Sequence, residues 1–269
     1  MATQEEKARD FLAAHRPGEP LLLPNPWDRG STIILASLGY QALATTSSGC
    51  AAALGRLDGQ VTRDEALEHA ADIVEATDLP VSADLENGFA DDPAGVADTV
   101  TKAAATGLAG CSIEDYTRDD ARPIYDAALA VERVKAAAEA AHAAGIVLTA
   151  RCENHLHGQH DLDDTIARLR GYAEAGADVL YAPSLTLMED IKRVVDETQK
   201  PVNVLAMPGT PAVGELAAAG VARISTGGAL AYAAYGALTE SAAELLHGSY
   251  TYLALSAVGR KSIVIAASR

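Results

Sequence analysis

The chain has 269 residues, enough for one large domain with a substantial core. Its 37 Asp and Glu against 21 Lys and Arg give a formal charge of −16, which argues against nucleic acid or an anionic membrane as partner. Three cysteines, Cys50, Cys111 and Cys152, are an odd number without zinc-type spacing and imply no disulfide framework. The polar start from Met1 to Asp10 lacks a signal-peptide pattern, and no apolar run reaches the ~20 residues of a membrane span, so a cytoplasmic protein is expected.

Short apolar runs alternate with longer amphipathic ones, eight times over. The expected strands are Leu21–Pro24, Ala42–Thr46, Val81–Leu85, Gly110–Glu114, Val147–Cys152, Val179–Ala182, Val202–Ala206 and Arg223–Ser225. Helical patterns lie between them. Thr62–Thr77 opens on a capping box, Thr62 with Glu65. Asp92-Pro93 starts the next helix and Gly107 ends it; Asp126–Ala144 stops at Gly145, and Asp161–Ala175 at Gly176. Continuously apolar strands indicate a parallel sheet covered on both faces. Eight strand–helix units close a (β/α)₈ barrel, which typically takes about 250 residues. An open doubly wound sheet would usually carry a Gly-rich phosphate loop after its first strand, and Leu21–Trp27 has none. The expectation is one domain over residues 1–269, with the barrel at about 20–235 and a helical C-terminal segment at about 229–269. The stretch Ala229–Leu246 is apolar around too much of its circumference for a solvated helix, which predicts a homo-oligomer.

Barrel sites gather where strands run into their following loops. Those places hold Thr45-Thr46-Ser47-Ser48-Gly49-Cys50 after the second strand and Asp84-Leu85-Glu86-Asn87-Gly88 after the third. Glu114-Asp115-Tyr116 follows the fourth, and Arg151-Cys152-Glu153-Asn154 the fifth. Asp84 and Glu86 share a face of an extended strand, and an acidic pair there is ordinarily a cap or a surface group. With Glu114 alongside, three carboxylates repel one another unless a cation intervenes, and oxygen-only ligands suit Mg²⁺. Arg151 either neutralises Glu153 or Glu114, or clamps a substrate carboxylate with its planar fork. Ser47-Ser48-Gly49 is either a plain helix cap or a turn whose N–H groups approach an anion. His155, His157 and His160 lie in a polar loop without a fourth ligand at zinc spacing.

Taken in order, Ser48-Gly49, Leu54-Gly55 with Asp58, Asp84-Leu85-Glu86-Asn87-Gly88-Phe89, Gly110–Asp115 and Ala150-Arg151 resemble the isocitrate lyase / phosphoenolpyruvate mutase superfamily. The resemblance runs from about Leu21 to Leu230 and takes in Ala175–Asp178 and Met207-Pro208-Gly209. It implies Asp84 as direct Mg²⁺ ligand, with Asp58, Glu86 and Glu114 holding the metal's waters. It also implies Arg151 on a substrate carboxylate, the Ser48-Gly49 backbone on the oxyanion, and an enolate derived from a small oxo-carboxylate. Dimers or tetramers that exchange the eighth helix are implied as well.

The chain departs from the family pattern where the reaction is chosen. Members that cleave isocitrate or methylisocitrate carry Lys-Lys-Cys-Gly-His after the fourth strand, and here the stretch is Tyr116–Pro123, without Cys, Lys or His. The longer gating loop of the phosphonate enzymes is absent, and Glu86 replaces the usual second Asp. The expected activity is a Mg²⁺-dependent C–C lyase, by aldol-type cleavage or decarboxylation, acting on a small oxo- or hydroxy-dicarboxylate. Ser47, Ser48, Gly49, Arg151 and Asn154 would bind substrate, while Tyr116, Asp120 and Arg122 are candidates for proton transfer or lid contact. C–P chemistry, using Arg118 and Arg122, and a non-catalytic oxo-acid binder are the alternatives.

Overall fold

Residues 2–268 are described by a computed structural model. Helix α1 (Gln4–Ala13) precedes eight parallel strands: β1 (Leu21–Leu23), β2 (Leu43–Ala44), β3 (Val81–Asp84), β4 (Gly110–Glu114), β5 (Val147–Arg151), β6 (Val179–Tyr181), β7 (Val202–Leu205) and β8 (Arg223–Ser225). Interleaved with them are α2 (Arg29–Ser37), α3 (Ser47–Ala53), α4 (Arg63–Glu75), α5 (Pro93–Ala104), α6 (Ala127–Ala143), α7 (Leu162–Glu174), α8 (Met188–Thr198) and α9 (Val213–Ala218). After β8 come α10 (Ala229–Leu246) and α11 (Leu253–Ala267).

The strands hydrogen-bond in the order β1-β8-β7-β6-β5-β4-β3-β2. The remaining gap between β1 and β2 is bridged by single bonds. Ala44 N–H donates to Pro24 O at 3.1 Å, and the Asn25 side-chain amide donates to Thr45 O at 2.8 Å. The fold is therefore a (β/α)₈ barrel. Every expected strand forms, several shorter by a residue or more at the C-terminal end, where the chain turns into the loops that carry polar groups.

Local signals act as the chemistry of helix ends requires. Thr62 and Glu65 close the capping box of α4 reciprocally, and Asp92, Asp126 and Asp161 cap α5, α6 and α7. Alternate strand residues serve two cores. Ala83, Leu85, Ile113, Leu148, Ala150 and Val204 pack outward against the helices. Leu21, Leu23, Ala42, Ala44, Val147 and Val179 pack inward on Ala8 and Phe11 of α1, which plugs the N-terminal end. The open end is thus the C-terminal one.

Helices α10 and α11 lie outside this scheme. Ala231 is the one buried residue described in α10 and Ala266 the one in α11. Leu238, Leu246, Leu255, Val258 and Val264 are all exposed. No helix among the described residues is long and apolar enough to cross a membrane.

Candidate active site

Ser47, Ser48, Asp58, Asp84, Arg151, Tyr181, Arg223 and Ser225 are among the residues lining a cavity of about 180 Å³ at the C-terminal mouth of the barrel. A second hollow of about 370 Å³ adjoins it and is lined by Glu86, Glu114, Tyr116, Arg118, Glu153 and His157, sharing Ser47, Asp58, Arg151 and Leu156 with the first.

Arg151, at the end of β5, is the centre of the charged wall. Its Nη1 lies 2.9 Å from Asp84 Oδ1, its Nη2 3.1 Å from Glu114 Oε2 and its Nε 2.9 Å from Glu153 Oε1. Burial opposes the guanidinium's charge, but Glu153, Glu114 and Asp84 together hold its pKa above the ordinary value. Both readings of this residue left open by its sequence have geometric content. It neutralises carboxylates, and it faces the cavity.

Asp84 is placed by backbone. Its Oδ2 accepts Ser47 N–H at 3.3 Å and its Oδ1 accepts Glu86 N–H at 3.2 Å, while its own N–H donates to Thr45 Oγ1 at 2.9 Å. Glu86 has a left-handed backbone, φ +48°, so the chain leaves β3 in a sharp turn. Arg133 of α6 holds that turn from behind, donating to the carbonyls of Asn87, Ala90 and Asp91. Arg118 pairs with the Glu86 carboxylate.

Burial dominates the titration of this wall. It pushes Glu86 up to about 7 against the pull of Arg118, and Glu153 up to about 7 against Arg151. Burial also carries Glu114 well above the carboxylate range. Asp58 sits on the exposed loop after α3, and partial burial followed by the charge of Asp84 raises its pKa. Five carboxylates thus share two guanidiniums, and the wall is short of positive charge.

A divalent cation fits this deficit. No three His, Cys, Asp or Glu side chains converge on one point among the described residues. An ion that keeps most of its water, such as Mg²⁺, would suit such a donor set; Asp84 would be the direct ligand, and Asp58, Glu86 and Glu114 would reach it through water.

Two expected residues are placed differently. Asn154 does not line either hollow. It is fully buried, and its amide donates to Asp164 Oδ2 and Thr165 Oγ1 at the start of α7, which makes it part of the barrel frame and not a substrate contact. Gly49 is also behind the cavity. Its N–H donates to the cap Thr46 Oγ1 at 3.4 Å, and a Cβ there would come within 2.9 Å of Trp27 Cβ and 2.5 Å of Thr46 Cγ2, so glycine is needed for packing. Ser47 and Ser48 remain as lining groups.

At the mouth Tyr116 stacks on His157 with ring centroids 3.9 Å apart, and its hydroxyl donates to Asp120 Oδ1 at 3.1 Å. Arg122 is 87% exposed and does not reach the cavity. Glu153, Tyr181 and Arg223 were not singled out from sequence as site groups. The available signal was charge or a hydroxyl inside strands or strand ends that otherwise read as buried.

A parallel barrel with an acid-rich cavity at its C-terminal mouth defines the class: an enzyme-type barrel whose charged groups sit at strand ends. The family profile of phosphoenolpyruvate phosphomutase matches residues 11–246. This chain belongs to that family, within the phosphoenolpyruvate mutase / isocitrate lyase superfamily. A candidate lyase/mutase from Burkholderia cenocepacia J2315 is 50% identical in its crystal structure, with TM-score 0.89 over 93% of this chain and 91% of that one. The 2-methylisocitrate lyase of Escherichia coli K12 is 31% identical over 211 residues, 75% of this chain and 71% of the relative. A crystal structure of 2,3-dimethylmalate lyase, 27% identical, superposes with TM-score 0.82 over 92% of this chain and 88% of that one. Its relatives are lyases and mutases, which supports an enzyme.

Proposed function

We propose that this protein is a Mg²⁺-dependent lyase that breaks a C–C bond of a small oxo- or hydroxy-carboxylate by way of an enolate. The observation that carries this reading is the surplus of buried carboxylate around Arg151 at the ends of β3, β4 and β5. Mg²⁺, when bound, supplies the positive charge that polarises the substrate carbonyl as the enolate develops.

The chain's own groups do the rest. Nη1 and Nη2 of Arg151 are the atoms that Asp84 and Glu114 hold. When those carboxylates turn to a cation, the guanidinium keeps Glu153 through Nε and offers two parallel donors to a substrate carboxylate. Ser47 and Ser48 add polar groups to the same cavity. Tyr116, backed by Asp120 and stacked on His157, stands where a proton would be exchanged at the mouth. Decarboxylation makes the smallest demand, because loss of CO₂ leaves the enolate without a base. A phosphonate would need further cations. Arg118 is taken by Glu86 and Arg122 lies in solvent, so neither of the two arginines that the C–P reading invoked is free at the cavity.

The relatives named for 2-methylisocitrate and 2,3-dimethylmalate cleavage point to the same substrate class. Turnover of oxaloacetate, methylisocitrate-type acids and phosphonopyruvate with Mg²⁺ tests the proposal. The expected result is release of a pyruvate- or oxalate-type product from one of the first two. Phosphonopyruvate turnover alone would replace it with C–P chemistry, and binding without turnover would make the protein an oxo-acid sensor. The exposed apolar residues of α10 and α11 support a homodimer or homotetramer in which a second copy covers them, by exchange of the C-terminal helix. Light scattering that finds a monomer at micromolar concentration would remove that part.

A further inference from the structure

Arg223 opens β8 at the deep end of the cavity and is only 4% exposed. Its Nε donates to Asn203 Oδ1 at 2.9 Å, and its Nη1 lies 3.1 Å from Thr149 Oγ1 and 3.2 Å from His15 Nε2. His15 is buried just after α1, and burial with the nearby Arg223 charge pushes its pKa down to about 3, so it is neutral at pH 7. Each of these partners is therefore neutral. Among the described residues Arg223 forms no ion pair, whereas Arg151 forms three. Burial lowers the Arg223 pKa to about 10, which leaves it charged at neutral pH.

A buried cation without a counter-ion is costly, and an anion that enters beside it recovers that cost. Arg223 lines the cavity together with Ser82, Ser112 and Ser225, so an anion in the cavity can reach both the guanidinium and hydroxyl donors. The strand register puts the two cavity arginines on one stretch of inner wall. Arg151 is beside Tyr181, Tyr181 beside Asn203, and Asn203 beside Arg223. Asn203, Thr149 and His15 engage Nε and Nη1 of Arg223, which leaves Nη2 to donate charge-assisted hydrogen bonds to an anion.

We propose that Arg223, with Ser82, Ser112 and Ser225, forms an anion subsite at the deep end of the cavity that takes one carboxylate of a dicarboxylate. The other end of such a ligand meets Arg151 at the mouth, a placement that rests on the lyase reading above. The subsite makes the substrate a dicarboxylate of short chain, matched to a cavity of about 180 Å³.

Succinate and butyrate have the same chain length and differ in the second carboxylate, which makes them suitable probes. Calorimetric titration of the full chain in Mg²⁺ should show succinate bound more tightly than butyrate. Arg223→Lys should weaken succinate about ten- to a hundredfold, as expected when a charge-assisted bond is lost, and leave butyrate within about twofold. Equal affinity for the two acids in the unaltered protein, or equal losses in the variant, would reduce Arg223 to a barrel tie and overturn the subsite. If Arg223→Lys does not fold, Ser112→Ala should still weaken succinate selectively, and no change there overturns the proposal. Succinate selectivity without turnover of any oxo-acid keeps the subsite and removes the lyase reading. Turnover without succinate selectivity does the reverse.

Discussion

Along β3, β4 and β5 the mouth of the barrel carries Asp84, Glu86, Glu114, Arg151 and Glu153, whereas along β6, β7 and β8 the cavity is lined by Tyr181, Leu205 and Ser225, with Arg223 as the charged group. The first wall is a network in which one guanidinium serves three carboxylates. On the second, Arg223 is surrounded by neutral partners. Like charges crowded on one wall leave a deficit that a cation can fill, while an unpaired guanidinium on the other leaves a deficit that an anion can fill. Under the proposed lyase reading, the difference would separate two tasks, handling developing charge and seating the rest of the substrate.

The sharpest way to break this contrast is Asp84→Ala. It removes the proposed direct ligand, so Mg²⁺ affinity and Mg²⁺-dependent activity should each fall by more than about a hundredfold. Calorimetry that finds unchanged Mg²⁺ affinity would take the metal off the acidic wall.

Next in size is the effect on stability of emptying each wall of its arginine. The Arg151 side chain is only 13% exposed and sits among three carboxylates, so its loss reaches the fold as well as the site. Arg151→Met should cost about 3–5 kcal/mol in denaturant unfolding at neutral pH, because it strands buried charge. Arg223→Met should cost less, since no carboxylate is left behind. Equal costs would show that the two walls are not electrostatically different.

The smallest effects are in the pH dependence, and they run in opposite directions. Folded Glu153 keeps its proton up to about 7, while the unfolded chain releases it near 4.5. The folded state therefore binds more protons between those values, and this contribution to stability is lost as pH rises through them. His15 refuses a proton in the fold until about 3, against 6.5 when unfolded, so its contribution is present above 6.5 and lost as pH falls toward 3. Glu153→Gln should reduce but not abolish the slope in the first window, which Glu86 and Glu114 share, and His15→Gln should flatten the second. Melting curves of the metal-free variants across pH 3–8, set by those two windows, check both. A variant that moves the other window would contradict the assignment.

The sequence by itself determined the eight strand–helix units, the capping residues Thr62, Asp92, Asp126 and Asp161, and the rim positions of Asp84, Glu114 and Arg151. These follow from local rules: strand period, cap chemistry, and the fact that βα loops of a barrel open on one face. Only the tertiary structure decided which groups meet. Asn154 follows Arg151 by three positions, yet it turns into the frame of α7, where Asp164 and Thr165 take its Nδ2 donors. Gly49 lies in the first turn of α3 but behind the cavity, where Thr46 and Trp27 leave no room for a side chain. Arg223 and His15 are 208 residues apart in the chain and 3.2 Å apart in the barrel. Pairings of that kind depend on how strand register and the α1 plug close the barrel, and no local periodicity encodes them.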